Sequence, residues 1–189
     1  MYIYRKQARV AIPLLMLVVL LLMIGCSAGS KTTTKEEKGI IETIVNHQFT
    51  GPDHELVNLL EDPAHVVKIG TGETSAKEEP TELDLYLKDI YGSYFNEAMY
   101  EEYIGTYAMS THMEAYNNDY STDVKDVVVE ESERTEGAYT FTVQVNYEGR
   151  DEGTIEVTGR VNMDDRSTVT NYQLIDDGGL SNALNQIRE

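Results

Sequence analysis

The sequence predicts an α+β domain in which N-terminal helices pack on an antiparallel sheet of about four strands, and two observations carry that prediction. Up to Asp123 the apolar residues recur at three- and four-residue steps, the period of a helix, and beyond it they alternate one by one, the period of a strand. The turn signals Glu136-Gly137, Glu148-Gly149 and Asp164-Asp165 then divide the alternating half into consecutive strands, which makes an antiparallel meander the simplest arrangement.

The first helix is expected at about Glu36 to Gln48, because Ile40, Ile41, Ile44, Val45 and Gln48-Phe49 fall on one stripe. Thr50-Gly51-Pro52-Asp53 breaks and restarts the chain. Gly51 permits the turn, while Pro52 and Asp53 suit a first helical turn with its fixed φ and positive dipole end. A second helix carries Leu56, Leu59 and Leu60 and stops near Asp62-Pro63. Val66-Val67-Lys68-Ile69 reads as a short strand or extended piece, followed by a mobile acidic loop to Pro80. A third helix places Leu83, Leu87, Ile90, Tyr91 and Tyr94 on one side, and Asn96 is the N-cap expected for a further short helix with Met99, Tyr103 and Ile104.

After the helices, Val124, Val127 and Val129 mark a first strand. Tyr139, Phe141, Val143, Val145 and Tyr147 alternate with Thr140, Thr142, Gln144 and Asn146 in a second. Ile155, Val157, Gly159, Val161 and Met163 alternate with polar residues in a third, and Val169 to Ile175 form a fourth. Each central strand therefore has one wet face.

In front of this domain stands a different kind of sequence. Arg5, Lys6 and Arg9 precede fifteen uncharged residues, Val10 to Ile24, closed by Gly25-Cys26. A basic n-region, an apolar h-region and a small residue make a secretory leader, and Pro13 interrupts a run already shorter than the roughly 20 apolar residues of a spanning helix. Met23-Ile24-Gly25-Cys26 resembles the lipobox of bacterial lipoproteins, with Met where Leu is usual. The resemblance implies that the Cys26 thiol receives a diacylglyceryl group and that the leader is cut just before it. Only a thiolate is nucleophilic enough for that thioether, and two or more acyl chains anchor stably where one is marginal. The expected organisation is a signal peptide over 1–25, the lipidated Cys26 and a disordered tether over 26–38, and one α+β domain over 39–189. Residues 27–38 carry no large apolar side chain with which to offset the entropy of ordering.

Leader, lipobox cysteine, tether, the helices around Phe49-Thr50-Gly51-Pro52-Asp53, the Tyr91-Gly92-Ser93-Tyr94-Phe95 turn, the four strands and Asp176-Asp177-Gly178 together resemble small lipoproteins of bacilli and their relatives. That resemblance implies the cone of nuclear transport factor 2-like and cystatin-like proteins, with the sheet curved around its helices. It implies a compartment, the outer face of the cell membrane, and no reaction, because this cone hosts isomerases, dehydratases and many non-catalytic modules.

Charge narrows the partners. The chain has 189 residues with 15 Lys plus Arg and 33 Asp plus Glu. Removing residues 1–25 takes away three basic and no acidic residues, leaving 12 against 33 and a net charge of −21. Nucleic acid is excluded as a partner, because polyanions repel and no basic stripe offsets the repulsion. A single Cys excludes an intramolecular disulfide and multi-cysteine metal clusters.

No chemistry-bearing motif stands out. His47, His54, His65 and His112 have no i, i+4 partner around a Glu, so solvated or helix-surface histidines are expected and no metal site. Asn117, Asp119, Ser121 and Asp123 have the spacing of a calcium loop, but Thr122 stands where the sharp turn needs Gly and Val128 where the bidentate Glu belongs. No nucleophile elbow, phosphate loop or dinucleotide fingerprint occurs, so no catalytic residue or cofactor is assigned. The acid pairs read as solvated surface. Tyrosine is the unusual feature: 13 in the chain, eight of them between Tyr86 and Tyr120. Tyr91, Tyr94 and Tyr103 either fill the core of a Trp-free domain or line a pocket in the cone.

The leading expectation is a non-enzymatic, lipid-anchored extracytoplasmic domain that binds another envelope protein. Its rivals are a small-molecule binder with a tyrosine-lined cone and a cone-fold acid/base enzyme. A filled cone favours the first, an open cavity with inward Tyr91, Tyr94 or Tyr103 the second, and an inward carboxylate beside a tyrosine the third.

Overall fold

Four strands cross one curved sheet in chain order, β1 (Ser121–Glu131), β2 (Ala138–Glu148), β3 (Glu152–Met163) and β4 (Val169–Asp176), each antiparallel to the next. This is the meander expected from the alternating half of the chain. The computed structural model describes residues 28–62 and 79–185. Two units are present, Met1–Glu36 and Glu37–Glu189. Of the first, residues 28–36 are described and are helical; the second holds the α+β fold.

The β2–β3 register runs unbroken from Ala138 opposite Asn162 to Glu148 opposite Glu152. The outer pairs slip, at Lys125 in β1 and at Thr170 and Ile175 in β4, which are extra residues opposite Asn162/Met163 and Thr158/Gly159 of β3. Such bulges bend and twist the strand that carries them, which curves an open sheet. The β1 bulge also places Lys125 in an edge strand, one of the devices that discourage further pairing. Tyr139, Phe141, Val143 and Val145 are buried as their alternation requires, and Tyr147 is half-buried. Gly159 serves this face directly: a Cβ there would lie 2.2 Å from Phe141 Cζ, so only glycine lets the ring cross β3.

Among the described residues the helices are α1 (Ala28–Phe49), α2 (His54–Glu61), α3 (Glu82–Tyr91), α4 (Glu97–Thr106), α5 (Ser110–Asn117) and α6 (Leu180–Leu184). Asn96 caps α4 as expected, whereas Pro52 and Asp53, expected inside the first turn of the second helix, lie just before it: Asp53 is extended and serves as the N-cap of α2. Asp53 accepts the Glu55 and Leu56 amides at 3.0 and 3.1 Å, and Asn96 accepts the Met99 amide at 2.8 Å. Thr81 and Asp84 add a reciprocal capping box to α3.

Three helical features differ from expectation. The first helix begins at Ala28 rather than near Glu36, and Glu37, within the polar stretch expected to be a tether, is buried. Extending a helix upstream adds a hydrogen bond per residue without a new nucleus, and no Pro lies between Ala28 and Glu36 to stop it, which outweighs the weak intrinsic preference of Gly29 and Thr32 to Thr34. The sequence also hides α5, because its buried residues include Thr111 and His112, and α6, which is only five residues long. The segment expected to be extended at Val66–Ile69 lies outside the described residues.

Candidate functional site

The side chains of the cone's interior are built around a glutamine. Gln48 sits on the apolar stripe of α1, is 1 % exposed, and its Oε1 accepts the Tyr103 hydroxyl at 3.1 Å and the Tyr172 hydroxyl at 2.6 Å. The Tyr91 ring packs against that of Tyr103 at 5.1 Å between centroids. Tyr103 stacks on Phe95 at 4.5 Å between centroids and meets Tyr172 edge-on at 5.0 Å, while Tyr172 stacks on Phe141 at 5.5 Å. Burial raises the Tyr103 and Tyr172 hydroxyls well above the ordinary phenol range, so both stay protonated as donors. Tyr91 and Tyr103 thus pack in the core, whereas Tyr94 is half-buried and its carbonyl accepts the Val169 amide at 2.8 Å.

A second polar node fastens Phe49–Asp53. His112, expected on a helix surface, is 2 % exposed and uses both ring nitrogens on backbone groups. Nδ1 accepts the Asp53 amide at 3.1 Å and Nε2 donates to the His47 carbonyl at 2.9 Å, which assigns the neutral Nε2–H tautomer. Burial pushes the His112 imidazole below its ordinary value, against the opposing pull of Asp53. Gly51 makes room for the ring, since a Cβ there would sit 2.7 Å from Nδ1. Gly51 and Thr122 exchange backbone hydrogen bonds at 3.0 and 2.7 Å, and the Tyr86 hydroxyl donates to Asp53 Oδ2 at 2.6 Å. Burial alone would raise the Asp53 carboxyl; the bonds from Tyr86, Leu56 and Glu55 outweigh it and hold the group below the usual carboxylate range.

The third node is a buried carboxylate. Glu37 is 6 % exposed, and its oxygens accept the Tyr139 hydroxyl and the Ser167 hydroxyl, the latter at 3.3 Å. A carboxylate beside a tyrosine is the arrangement an acid/base enzyme would use. Both of its oxygens are engaged here, and neither Glu37 nor Tyr139 lines either groove described below.

The surface is open in two other respects. The outer sheet face carries cross-strand polar pairs, Gln144 Nε2 to Glu156 at 2.7 Å and Thr154 to Asn146 at 2.7 Å, beside a row of Val128, Thr142 and Thr158. One groove of about 880 Å³ runs past Pro52, His54, Tyr116, Asp119, Tyr120 and Glu148. Its Tyr120 is already engaged by the β2–β3 turn, with the hydroxyl on Asp151 and the Arg150 guanidinium 5.6 Å from the ring centre. Another, about 490 Å³, lies between α3 and α4. Among the described residues no three His, Asp or Glu side chains converge as metal ligands would, and no helix is long and apolar enough to cross a membrane. Cys26 and its lipobox residues Met23, Ile24 and Gly25 lie outside the described residues, as does His65.

Of the three interior nodes, Gln48 was legible from its place on the apolar stripe. Glu37 and His112 were hidden by polar neighbours. Comparison of the chain with protein families, with curated proteins and with solved structures finds no match.

Proposed function

We propose that this chain is a lipid-anchored extracytoplasmic binding domain of the bacterial cell envelope, non-enzymatic, that engages another envelope protein through its surface. The observation that carries the reading is the filled interior. Tyr91, Tyr103, Phe95, Phe141 and Tyr172 close on one another and on Gln48, so the tyrosines that could have lined a ligand pocket are spent on packing and internal hydrogen bonds. The anchoring half rests on the leader and Cys26.

The two halves are tested separately. Cys26→Ala abolishes incorporation of labelled fatty acid and leaves unprocessed precursor; maturation that resists globomycin would remove the anchor from the proposal. For binding, a photo-crosslinking amino acid is placed at exposed positions of the full chain in living cells. One recurring envelope protein, attached from adjacent positions and lost on a single charge-reversing surface substitution, is the expected result. Adducts scattered without regard to position would overturn it.

A further inference from the structure

The groove between α3 and α4 combines an apolar floor with an acidic rim. Leu87 and Phe95 are buried beneath it, Tyr100 and Ile104 are half-buried, and Leu85 is 54 % exposed although it is a large aliphatic side chain. Gly92-Ser93-Tyr94-Phe95-Asn96 joins the two helices, and Leu85 lines the groove without being buried between them. Among the described residues that line it, Asp84, Glu97 and Glu101 stand around the floor against one cation, Lys88. Asp84 is committed to capping α3, whereas Glu97 and Glu101 are exposed and have no cationic partner among the described residues. Burial and then the nearby Glu101 and Asp84 charges raise the Tyr100 phenol, so the negative field reaches into the groove.

An exposed aliphatic residue beside unneutralised carboxylates selects a particular counterpart. A purely apolar segment would bury the rim charges without compensation, and an acidic one would be repelled. We infer that the α3–α4 groove docks a segment of a partner protein that presents aliphatic side chains flanked by Lys or Arg. Its aliphatic side chains cover Leu85 and Leu87, and its cations pair with Glu97 and Glu101 at the rim, where they fix register and speed encounter. This rests on the reading of the chain as a binding domain and names the surface and the chemistry of the partner.

The test uses the full chain in neutral detergent, with p-benzoylphenylalanine replacing Leu85 in one sample and Thr142, on the outer sheet face, in another. The probe is a biotinylated peptide of Leu-Leu-Lys-Lys repeats, with Ser-Ser-Lys-Lys and Leu-Leu-Glu-Glu repeats as controls. Saturable attachment at position 85 is expected, at least about tenfold above position 142 and above either control peptide, and cut about tenfold by Glu97→Lys with Glu101→Lys. All these positions are exposed or half-buried, and far-UV circular dichroism verifies that each variant is folded. Equal attachment by the Ser-Lys peptide would reduce the groove to a general negative field and overturn the proposal. So would attachment of position 85 to a second copy of the chain, or to the chain's own residues 63–78. Attachment at position 142 alone would defeat the groove but leave the binding reading intact; that reading falls only if the in-cell crosslinking also fails.

Discussion

The two faces of the sheet come from the same strands and answer to different constraints. On the inner face Phe141, Val143, Val157 and Tyr172 are 0 to 1 % exposed, and each is held by neighbours from a helix or an adjoining strand. One residue further along, Thr142, Gln144 and Thr158 are only half-buried, and the hydrogen bonds they make stay within the sheet. The pleat enforces the contrast, since a strand offers only two assignments and only one of them buries the large side chains. Inner residues specify the fold; outer residues are free to serve something else.

The contrast breaks most sharply at Phe141. Phe141→Ala leaves a void beneath Gly159 and Tyr172 and should lower unfolding free energy by about 3 to 5 kcal/mol in urea titrations. A change below about 1 kcal/mol would mean the cone is not tightly filled. Gln48→Leu keeps the volume but strips two buried hydroxyls of their acceptor, an expected loss of about 2 to 4 kcal/mol by the same measurement.

His112 sharpens the comparison through pH. The unfolded histidine takes up a proton near 6.5, while the folded one, depressed by burial, stays neutral to lower pH. The unfolded state therefore binds more protons just below 6.5, and stability should fall with pH from there until the folded value is passed. At lower pH Asp53 adds a second loss: its folded carboxyl is depressed below 3.8, so the stability it contributes above 3.8 disappears as pH falls through the folded value. Urea midpoints between about pH 7.5 and pH 5 should slope in the wild type and flatten in His112→Gln. A slope that persists in the variant would assign the effect elsewhere. The smallest effect is expected on the outer face, where Thr142→Ala should cost well under about 1 kcal/mol. A loss as large as that of Phe141→Ala would show that this face is covered in the isolated protein.

What could be read in advance follows from how each element gains its stability. Strands β2 and β3 announced themselves because their inner residues are apolar and their outer residues polar over whole elements. The cap Asn96 was readable because a cap is a local bond, three residues from its partner, whereas Asp53 was expected one position too far in, inside the first helical turn it caps. His112 was not, since its partners are 59 and 65 residues away and its helix buries Thr111 and Ala115 rather than leucines. Glu37 was hidden for the same reason, with a tyrosine partner 102 residues distant. Periodicity reports hydrophobic burial; it carries no trace of a polar group that becomes buried only when remote segments meet.

Glu37 also ties together parts of the chain that are far apart in sequence. Among the described side chains of α1 it is the first that is buried, ahead of Ile41, Ile44 and Val45. Its two oxygens accept hydroxyls from Tyr139 in β2 and from Ser167 in the β3–β4 turn, 102 and 130 residues away. One side chain at the start of the buried stripe thus closes two long loops of chain at once, and a substitution that removes its carboxyl frees a helix, a strand and a turn together.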